Sequence, residues 1–398
     1  MKTLLIEEQS TLPVVLSHLL KLRHGQLIFK GIWNGSVGEN SDLQAVIQVH
    51  DARLMKLLFR HGVLGAAEGF IHGYWSSEDL VEVIRILARN RDVLDRMNQN
   101  AVAKASQLLL KFWYKSCRNS IDGSRKNIAD HYDLSNDFFK LFLDSSMMYS
   151  SAVFKEPGMS LEQASDYKKE LICQKLKLKP MDHLVEIGSG WGGFAIYAAQ
   201  QYGCKVTTIT ISKAQYDEAV DRVAAAGLSH RVTVQLKDYR LLEGKYDKLV
   251  SIEMIEAVGE QYLPTYFHKC RELLKPDGLA LIQAITIEDA RYAKALNTVD
   301  YIKRYIFPGS FIPCISVMTQ AASEQKLRLK HLEDIGQSYA QTLHCWRQNF
   351  LEQHDQILQL GFDECFIRMW DFYLCYCEGG FREGVISDVH LLFEASAY

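Results

Sequence analysis

Across 398 residues no apolar run approaches the roughly 18–20 needed to span a bilayer, and the 7 prolines gather into no linker. Charge of one sign is missing as well. Lys and Arg number 45 against 48 Asp and Glu, a net charge of −3. There is therefore no global basic field to draw nucleic acid, although a local basic patch stays open. Metal-ligand spacing is also absent. The 9 cysteines are scattered, and only Cys375 and Cys377 lie close, which is not a zinc pattern. No metal site is expected. Met1 to Val14 carries Glu7 and Glu8 and lacks the basic-then-apolar layout of a secretion signal. An odd cysteine count without such a signal predicts reduced thiols and a cytoplasmic protein.

What is present suits folded domains. Hydrophobic residues make up 48%, aromatics 11% and charged residues 23%, which excludes disorder and low complexity. At about 100–200 residues per domain the length favours two domains.

Along residues 1–100, short β-like runs alternate with helical ones. Gly25 to Phe29 and Leu43 to Val49 read as strands, and Leu54 to Leu64 and Ser77 to Arg89 as helices. This is a small α+β module. Residues 101–127 form a basic helical linker, with Lys104, Lys111, Lys115, Arg118, Arg125 and Lys126 around Leu108, Leu109, Leu110, Phe112, Trp113 and Tyr114. Two readings stay open. It is a surface helix joining two domains, or a helix lying on a membrane with its lysines toward phosphate.

From about residue 165 the pattern becomes α/β. Ala164 to Leu176 reads as a helix. His183 to Ile187, Lys205 to Ile211, Val232 to Leu236, Lys248 to Ile252 and Leu279 to Ala284 read as strands, with helices over Trp191 to Tyr202 and Lys213 to Ala226. The alternation implies a Rossmann-like parallel sheet with helices on both faces. Ligands in such sheets sit at the carboxyl ends of the strands.

The first of these strands runs into Gly188-Ser189-Gly190-Trp191-Gly192-Gly193, which satisfies a dinucleotide fingerprint. A nicotinamide enzyme wants an acidic residue about 20 positions on, for the ribose hydroxyls. Here the second strand ends Thr208-Ile209-Thr210-Ile211-Ser212, and the next carboxylate, Asp217, is already inside a helix. Trp191 is also bulky beside a pyrophosphate path. S-adenosylmethionine has no pyrophosphate. Glu186 and the loop N–H groups suit its amino-acid half, and Asp238-Tyr239 its adenine end. A dinucleotide site and a tight turn without ligand stay open on these residues alone; S-adenosylmethionine is favoured once the rest of the chain is included, and residues 128–398 are then read as an S-adenosylmethionine-dependent methyltransferase domain.

Ordered marks carry a family resemblance over about residues 120 to 390. They are His131 to Phe139, Met148 to Ala152, Ile187 to Gly193, Thr210 to Gln215, Asp238 to Arg240, Glu256 to Gly259, Tyr305 to Gly309 and Tyr339 to Leu343. The chain resembles the cyclopropane-fatty-acyl-phospholipid synthases and mycolic acid cyclopropane synthases. The resemblance implies a class I methyltransferase fold, S-adenosylmethionine as methyl donor and the double bond of an unsaturated phospholipid acyl chain as acceptor. It implies cofactor contacts at Tyr149, Ser150, Glu186, Gly188, Gly190, Trp191, Gly192, Thr210, Ile211, Gln215, Asp238 and Tyr239. Ser212 is either a further contact or a helix cap. The enzyme would work at the inner face of the membrane as a peripheral protein, alone or as a homodimer, with the first module docking lipid or pairing subunits. The expected product is a cyclopropane chain.

In the resemblance the base is a bound bicarbonate held by Cys, Glu, His, a backbone group at Ile, and Tyr. Glu256, Ile285 and Tyr339 keep these identities, whereas the Cys position is Ser151, the His position is Gln283, and the His after the Glu is Ala257. Ser and Gln can hydrogen-bond an anion but supply no thiol or imidazole. Two products therefore stay open: a ring from bicarbonate, or a methyl-branched, methylene or methylated unsaturated chain if Glu256 or another base takes a different proton. Glu253 reads as a solvated or ion-paired carboxylate more readily than as a catalytic one, although its position is usually small in the family. Tyr132, Tyr305, Phe307, Trp370 and Cys377 are candidates for an acyl tunnel or lid. Tyr301 to Pro313 is either a lid whose Lys303 and Arg304 reach lipid phosphate or a surface loop. The run Phe362, Phe366, Met369, Trp370, Tyr373 reads as core packing.

Overall fold

The structure is a computed structural model that describes residues 18–97, 101–117, 119, 120, 123 and 134–396. Tyr132, Arg118, Arg125 and Lys126 lie outside the described residues. The chain divides into two compact units. One takes the described residues up to Ser116, Asn297–Ile306 and Phe350–Val385; the other takes the rest. The range 128–398 thus contributes to both.

In the first unit, β1 (Gln26–Gly31), β2 (Gly35–Gly38), β3 (Gln44–Val49) and β4 (Trp75–Ser76) form a sheet in the order β2-β1-β3-β4. The predicted helix over 54–64 is two helices, Arg53–His61 and Val63–Ile71. They part at Gly62, whose φ of 59° and ψ of −130° suit a residue without a Cβ. Helix Glu364–Arg382 belongs to this unit, and the predicted aromatic stripe is core only at Trp370 and Tyr373, which meet edge-on; Phe362 stacks on Phe366 and Phe366 on Trp370, but both phenylalanines are half-buried. No helix among the described residues is long and apolar enough to cross a membrane.

The second unit holds a seven-stranded sheet. Its strands are β5 (His183–Ile187), β6 (Lys205–Thr210), β7 (Val232–Leu236), β8 (Tyr246–Ile252), β9 (Leu274–Ile287), β10 (Leu327–Asp334) and β11 (Ile386–Ala395), in the order β10-β11-β9-β8-β5-β6-β7. The five expected strands are parallel, and β11 enters antiparallel between β9 and β10. Neither β10 nor β11 was apparent in the sequence. β10 is a polar edge, and β11 carries Asp388 and His390 in its interior, both fully buried.

Successive residues on each strand face opposite sides of the sheet. Leu184, Val206, Leu281 and Leu392 pack on the side of helices Leu161–Lys175 and Gly193–Tyr202, while Val185, Ile282 and Leu391 pack on the other. The same alternation sends Glu186, Thr208, Gln283, Asp388 and His390 to the first side. Helix Leu161–Lys175 begins with a capping box in which Ser160 and Gln163 satisfy each other's backbone N–H. Its inner stripe is Ala164, Lys168, Ile172 and Leu176, all buried, so a lysine stands where an apolar residue is expected.

Candidate active site

The glycine loop closes β5 and opens helix Gly193–Tyr202. The Gly188 and Ser189 N–H groups both donate to the Ile209 carbonyl, at 3.1 and 2.8 Å. They pin the loop to β6, so these two N–H groups are engaged within the protein. The cradle lies at Gly190. Its φ is +49°, and a Cβ built there would meet nothing within 4 Å. That is open space against bare backbone at the carboxyl end of the sheet, where a ligand can approach closely.

Around the cradle the expected contacts take distinct roles. Glu186 is buried and accepts from Thr208 Oγ1 at 2.6 Å, across the β5–β6 register. Burial pushes its carboxyl up to about 8. Thr210 Oγ1 donates to Gln215 Oε1 at 2.9 Å, and Ile211 follows it in the turn. Ser212 caps helix Lys213–Ala225, accepting from the Gln215 N–H. Gly192 is the left-handed residue that starts the glycine-loop helix. Asp238 is buried after β7, and both its oxygens are held by the Arg240 guanidinium at 2.8 and 2.7 Å. Tyr239 lies beside it, buried. Trp191 turns inward, donating Nε1–H to Asn136 at 2.7 Å against the Phe139 ring, so it supports the loop from behind.

Tyr149 presents its ring to Phe307, Trp346 and Phe139, with centroids 6.5, 5.3 and 5.1 Å away. Phe142 and Tyr339 also pack on Trp346. This aromatic cluster offers π-faces to developing positive charge. Phe139, Phe142 and Trp346 were not singled out in the sequence. Ser150 is buried beside it and accepts from Lys168 Nζ at 2.5 Å.

The five expected catalytic positions converge, on two carboxyl groups. The Ser151 N–H donates to Glu253 Oε1 at 2.7 Å, Gln283 Nε2 to the same oxygen at 2.8 Å, and the Tyr339 hydroxyl to Oε2 at 2.7 Å. The Ile285 N–H donates to Glu256 Oε1 at 2.6 Å. Glu256 Oε2 is buried without a hydrogen-bond partner. Burial, then the neighbouring Glu253, push the Glu256 carboxyl up to about 8. The Ser151 hydroxyl donates to the Ala152 carbonyl at 2.8 Å, so its backbone rather than its side chain serves the site.

Glu253 is therefore neither solvated nor simply ion-paired, as the sequence suggested. It is half-buried with its carboxyl turned onto three donors, and it sits just past β8 with φ +47°. Non-glycine residues in that region cost of order 1–3 kcal/mol and cluster at functional sites. Burial raises its pKa, while Lys168, then Ser151, Tyr339 and Asp388, oppose the rise. Gln283 Nε2 also donates to Asp388 Oδ2 at 2.7 Å. Asp388, buried beside Glu253, is pushed well above the ordinary carboxylate range. Lys168 is buried, and desolvation pushes it down to about 8 against the pull of Glu253, Asp388 and Asp144. Asp388, Lys168, His390 and Lys175 escaped the sequence reading. The one available signal was a lysine on the apolar stripe of its helix.

The tunnel candidates separate. Phe307 stacks on Tyr149 in the second unit. Tyr305, Trp370 and Cys377 belong to the first unit, where Tyr305 donates to Glu68 at 2.8 Å, Trp370 is core and Cys377 is half-buried. Lys303 does not reach outward. It is buried, donating to the Thr298 carbonyl at 3.0 Å, and Ile302–Ile306 is a π-helical turn packed into that unit.

A sheet of this order, with a glycine cradle after its first strand, defines an S-adenosylmethionine-dependent methyltransferase. The open backbone at Gly190 and the polar side chains around it fit that donor. The mycolic acid cyclopropane synthetase family matches residues 119–391, and the chain belongs to it. It is 38% identical to tuberculostearic acid methyltransferase of Mycobacterium tuberculosis over 84% of this chain and 79% of that one. It is 34% identical to cyclopropane-fatty-acyl-phospholipid synthase of Escherichia coli over 86% of each. The crystal structure of a mycolic acid cyclopropane synthase with SAH and CTAB superposes with a TM-score of 0.64 at 29% identity, over 68% of this chain and 98% of that one. Coclaurine N-methyltransferase, at 19% identity, shares the fold with a TM-score of 0.65 over 82% of this chain and 98% of that one.

Proposed function

We propose that the protein methylates a carbon–carbon double bond in an unsaturated phospholipid acyl chain and that Glu253 takes up the proton released. The product is then a methylated or methylene-bearing chain that keeps a double bond, in place of a ring. The observation that carries this reading is the Glu253 carboxylate. It accepts from Ser151, Gln283 and Tyr339, three of the positions that the family resemblance gives to bicarbonate. With those donors engaged, a second anion would meet the Glu253 charge with nothing to hold it. No step here runs through bicarbonate.

S-adenosylmethionine, when bound, supplies an electrophilic methyl group. The alkene π pair forms the new C–CH3 bond as the S–CH3 bond breaks with its electron pair left on sulfur, and the other alkene carbon becomes cationic. The faces of Tyr149, Trp346 and Phe307 stabilise that charge and exclude water that would quench it. Glu253, held ionised by three donors and the nearby Lys168, attracts the cation and accepts a proton from an adjacent carbon. The C–H pair becomes the new double bond.

The lipid acceptor draws support from the relatives named above and from helix Ala101–Ser116. Leu108, Leu109 and Phe112 are 56%, 72% and 70% exposed there, with Lys104 on the same helix. That combination suits a surface helix on anionic lipid, which supports work at a membrane surface.

The test is mass spectrometry of acyl chains after the protein is mixed with S-adenosylmethionine and vesicles of monounsaturated phospholipid. A mass gain of one CH2 that retains a reducible double bond supports the reading. A ring that resists mild hydrogenation of alkenes overturns the role given to Glu253. No gain in mass overturns the acceptor.

A further inference from the structure

Behind Gln283 runs a hydrogen-bonded line of side chains that the reaction does not touch. Lys175 Nζ meets His390 Nδ1 at 2.7 Å, and His390 Nε2 meets Gln283 Oε1 at 3.2 Å. Gln283 then gives its two amide hydrogens to Glu253 and Asp388. At the outer end Lys175, 10% exposed, is ion-paired with Glu333, 41% exposed. The members come from helix Leu161–Lys175, β9, β10 and β11, and His390 and Gln283 are direct register partners across β9 and β11.

The line has one consistent sense. An ammonium only donates, so His390 Nδ1 must accept. The ring proton is then on Nε2 and points at Gln283 Oε1. That oxygen must accept, so the amide NH2 must face the carboxyl groups. Reversing any link places two donors or two acceptors together in a buried site, at the cost of an unmade hydrogen bond. The imidazolium would break the sequence too, because both its nitrogens donate. Burial, then Lys175, Lys168 and His331, hold His390 well below its ordinary pKa, which keeps it neutral.

We propose that His390 and Lys175 are positioning residues that fix which end of the Gln283 amide faces Glu253, and so hold that carboxylate ready to accept a proton. The proposal rests on the reading of Glu253 as proton acceptor. If the line fails, the amide is free to turn. Its oxygen then opposes the Glu253 carboxylate, favouring the protonated form. The other groups facing Glu253 are Lys168, Asp388, Glu256 and Tyr339. None of them fixes the amide by donating to its oxygen.

The experiment uses the full chain. Nitrogen NMR of 15N-histidine-labelled protein, with the His390 signal assigned by its loss in His390→Gln, reads the tautomer directly. The expected result is a neutral Nε2–H ring through pH 6–8 that becomes a tautomer mixture in Lys175→Met. A ring protonated on Nδ1, or on both nitrogens, overturns the proposal. Kinetics supply the second arm. His390→Leu and Lys175→Met should lower kcat about tenfold or more and move its acid limb upward by about one pH unit, with S-adenosylmethionine affinity within about twofold. His390→Gln, which can still donate to Gln283, should recover most of kcat. An unmoved acid limb in both loss variants defeats the proposal. Should His390→Leu fail to fold, Lys175→Met at the rim of the unit reads the same limb. Glu253→Gln separates the two ideas. If it stays active, the proton-acceptor reading falls with no bearing on the tautomer. If it is dead while both loss variants behave as wild type, only the positioning proposal falls.

Discussion

Gln283 bridges two carboxyl groups from different strands, reaching Glu253 beyond β8 at 2.8 Å and Asp388 on β11 at 2.7 Å. The two acids lie close enough to act on each other, Asp388 opposing the rise at Glu253 and Glu253 adding to the rise at Asp388. Asp388, the more enclosed, is pushed well above the carboxylate range, whereas Lys168, Ser151 and Tyr339 oppose the rise at Glu253. This is the division of labour expected of like charges in one site, where one pKa is driven up so that the other group can stay charged.

The rate should therefore depend on pH in one direction at the acid end. The Glu253 pKa is raised above the ordinary 4.5, with burial as the main cause. A base works only when ionised, so kcat should fall as pH drops through that raised value. The midpoint should lie above 4.5, measured on vesicles with S-adenosylmethionine saturating. A kcat that stays flat down to pH 4.5 would remove Glu253 from proton transfer.

The φ of +47° at Glu253 leads to a second expectation. Glycine adopts that backbone without strain, and Glu253→Gly also clears the volume of the carboxyl while leaving the Ser151 N–H, Gln283 amide and Tyr339 hydroxyl unmatched. The variant should lose at least about a hundredfold in kcat, the order expected for removing a general base. Bicarbonate or formate added at millimolar concentration should restore part of it by filling the donors. Restoration that saturates with anion would show that the side chain stands in for a small anion. A variant indifferent to added anion would sink that idea.

The legibility of this chain follows its physical chemistry. β5 and β6 were readable because strands buried on both faces are short apolar runs bounded by turns, and β7, at the sheet edge, because Val232, Val234 and Leu236 alternate with polar residues. The glycine loop was readable because few residues permit its backbone. β11 was hidden by Asp388 and His390, since two buried polar residues break the apolar pattern that marks a strand. Those two residues are buried because they serve the site, so the failure of pattern and the presence of function share one cause. Glu253 was visible but misjudged. A lone carboxylate after a strand is usually solvated, and only the convergence of Ser151, Gln283 and Tyr339, drawn from distant parts of the chain, shows otherwise. Ser151 was chosen for its hydroxyl and serves through its N–H, a distinction that needs the backbone.

Glu186 offers a stability test independent of turnover. Its carboxyl is pushed up to about 8 from 4.5, chiefly by burial, with Thr208 and Lys168 opposing the rise. The folded protein thus holds this proton more tightly than the unfolded chain. The resulting stabilisation is fully present below pH 4.5 and is lost as pH rises through 8. Glu186→Gln keeps an acceptor for Thr208 and removes the titration. Thermal midpoints of variant and wild type should differ by a constant below pH 4.5, with the variant gaining steadily from there to about pH 8 and levelling off above it. Parallel curves over that range would show that Glu186 does not titrate there.

Leu108 and Leu109, 56% and 72% exposed on helix Ala101–Ser116, are the residues through which the first unit should meet lipid. Burying exposed leucine against acyl chains gains about 1.5–3 kcal/mol each, so replacing both by Asp should weaken vesicle binding at least about a hundredfold. Neither residue lies near the glycine cradle in sequence or belongs to its unit. S-adenosylmethionine affinity should stay unchanged, and so should kcat on phospholipid dispersed in detergent. Sedimentation with vesicles containing anionic lipid separates the outcomes. Binding lost together with detergent activity would mean a folding defect. Binding retained would move the lipid-facing surface elsewhere on the chain. Binding lost with detergent activity intact is the result that places this helix at the membrane.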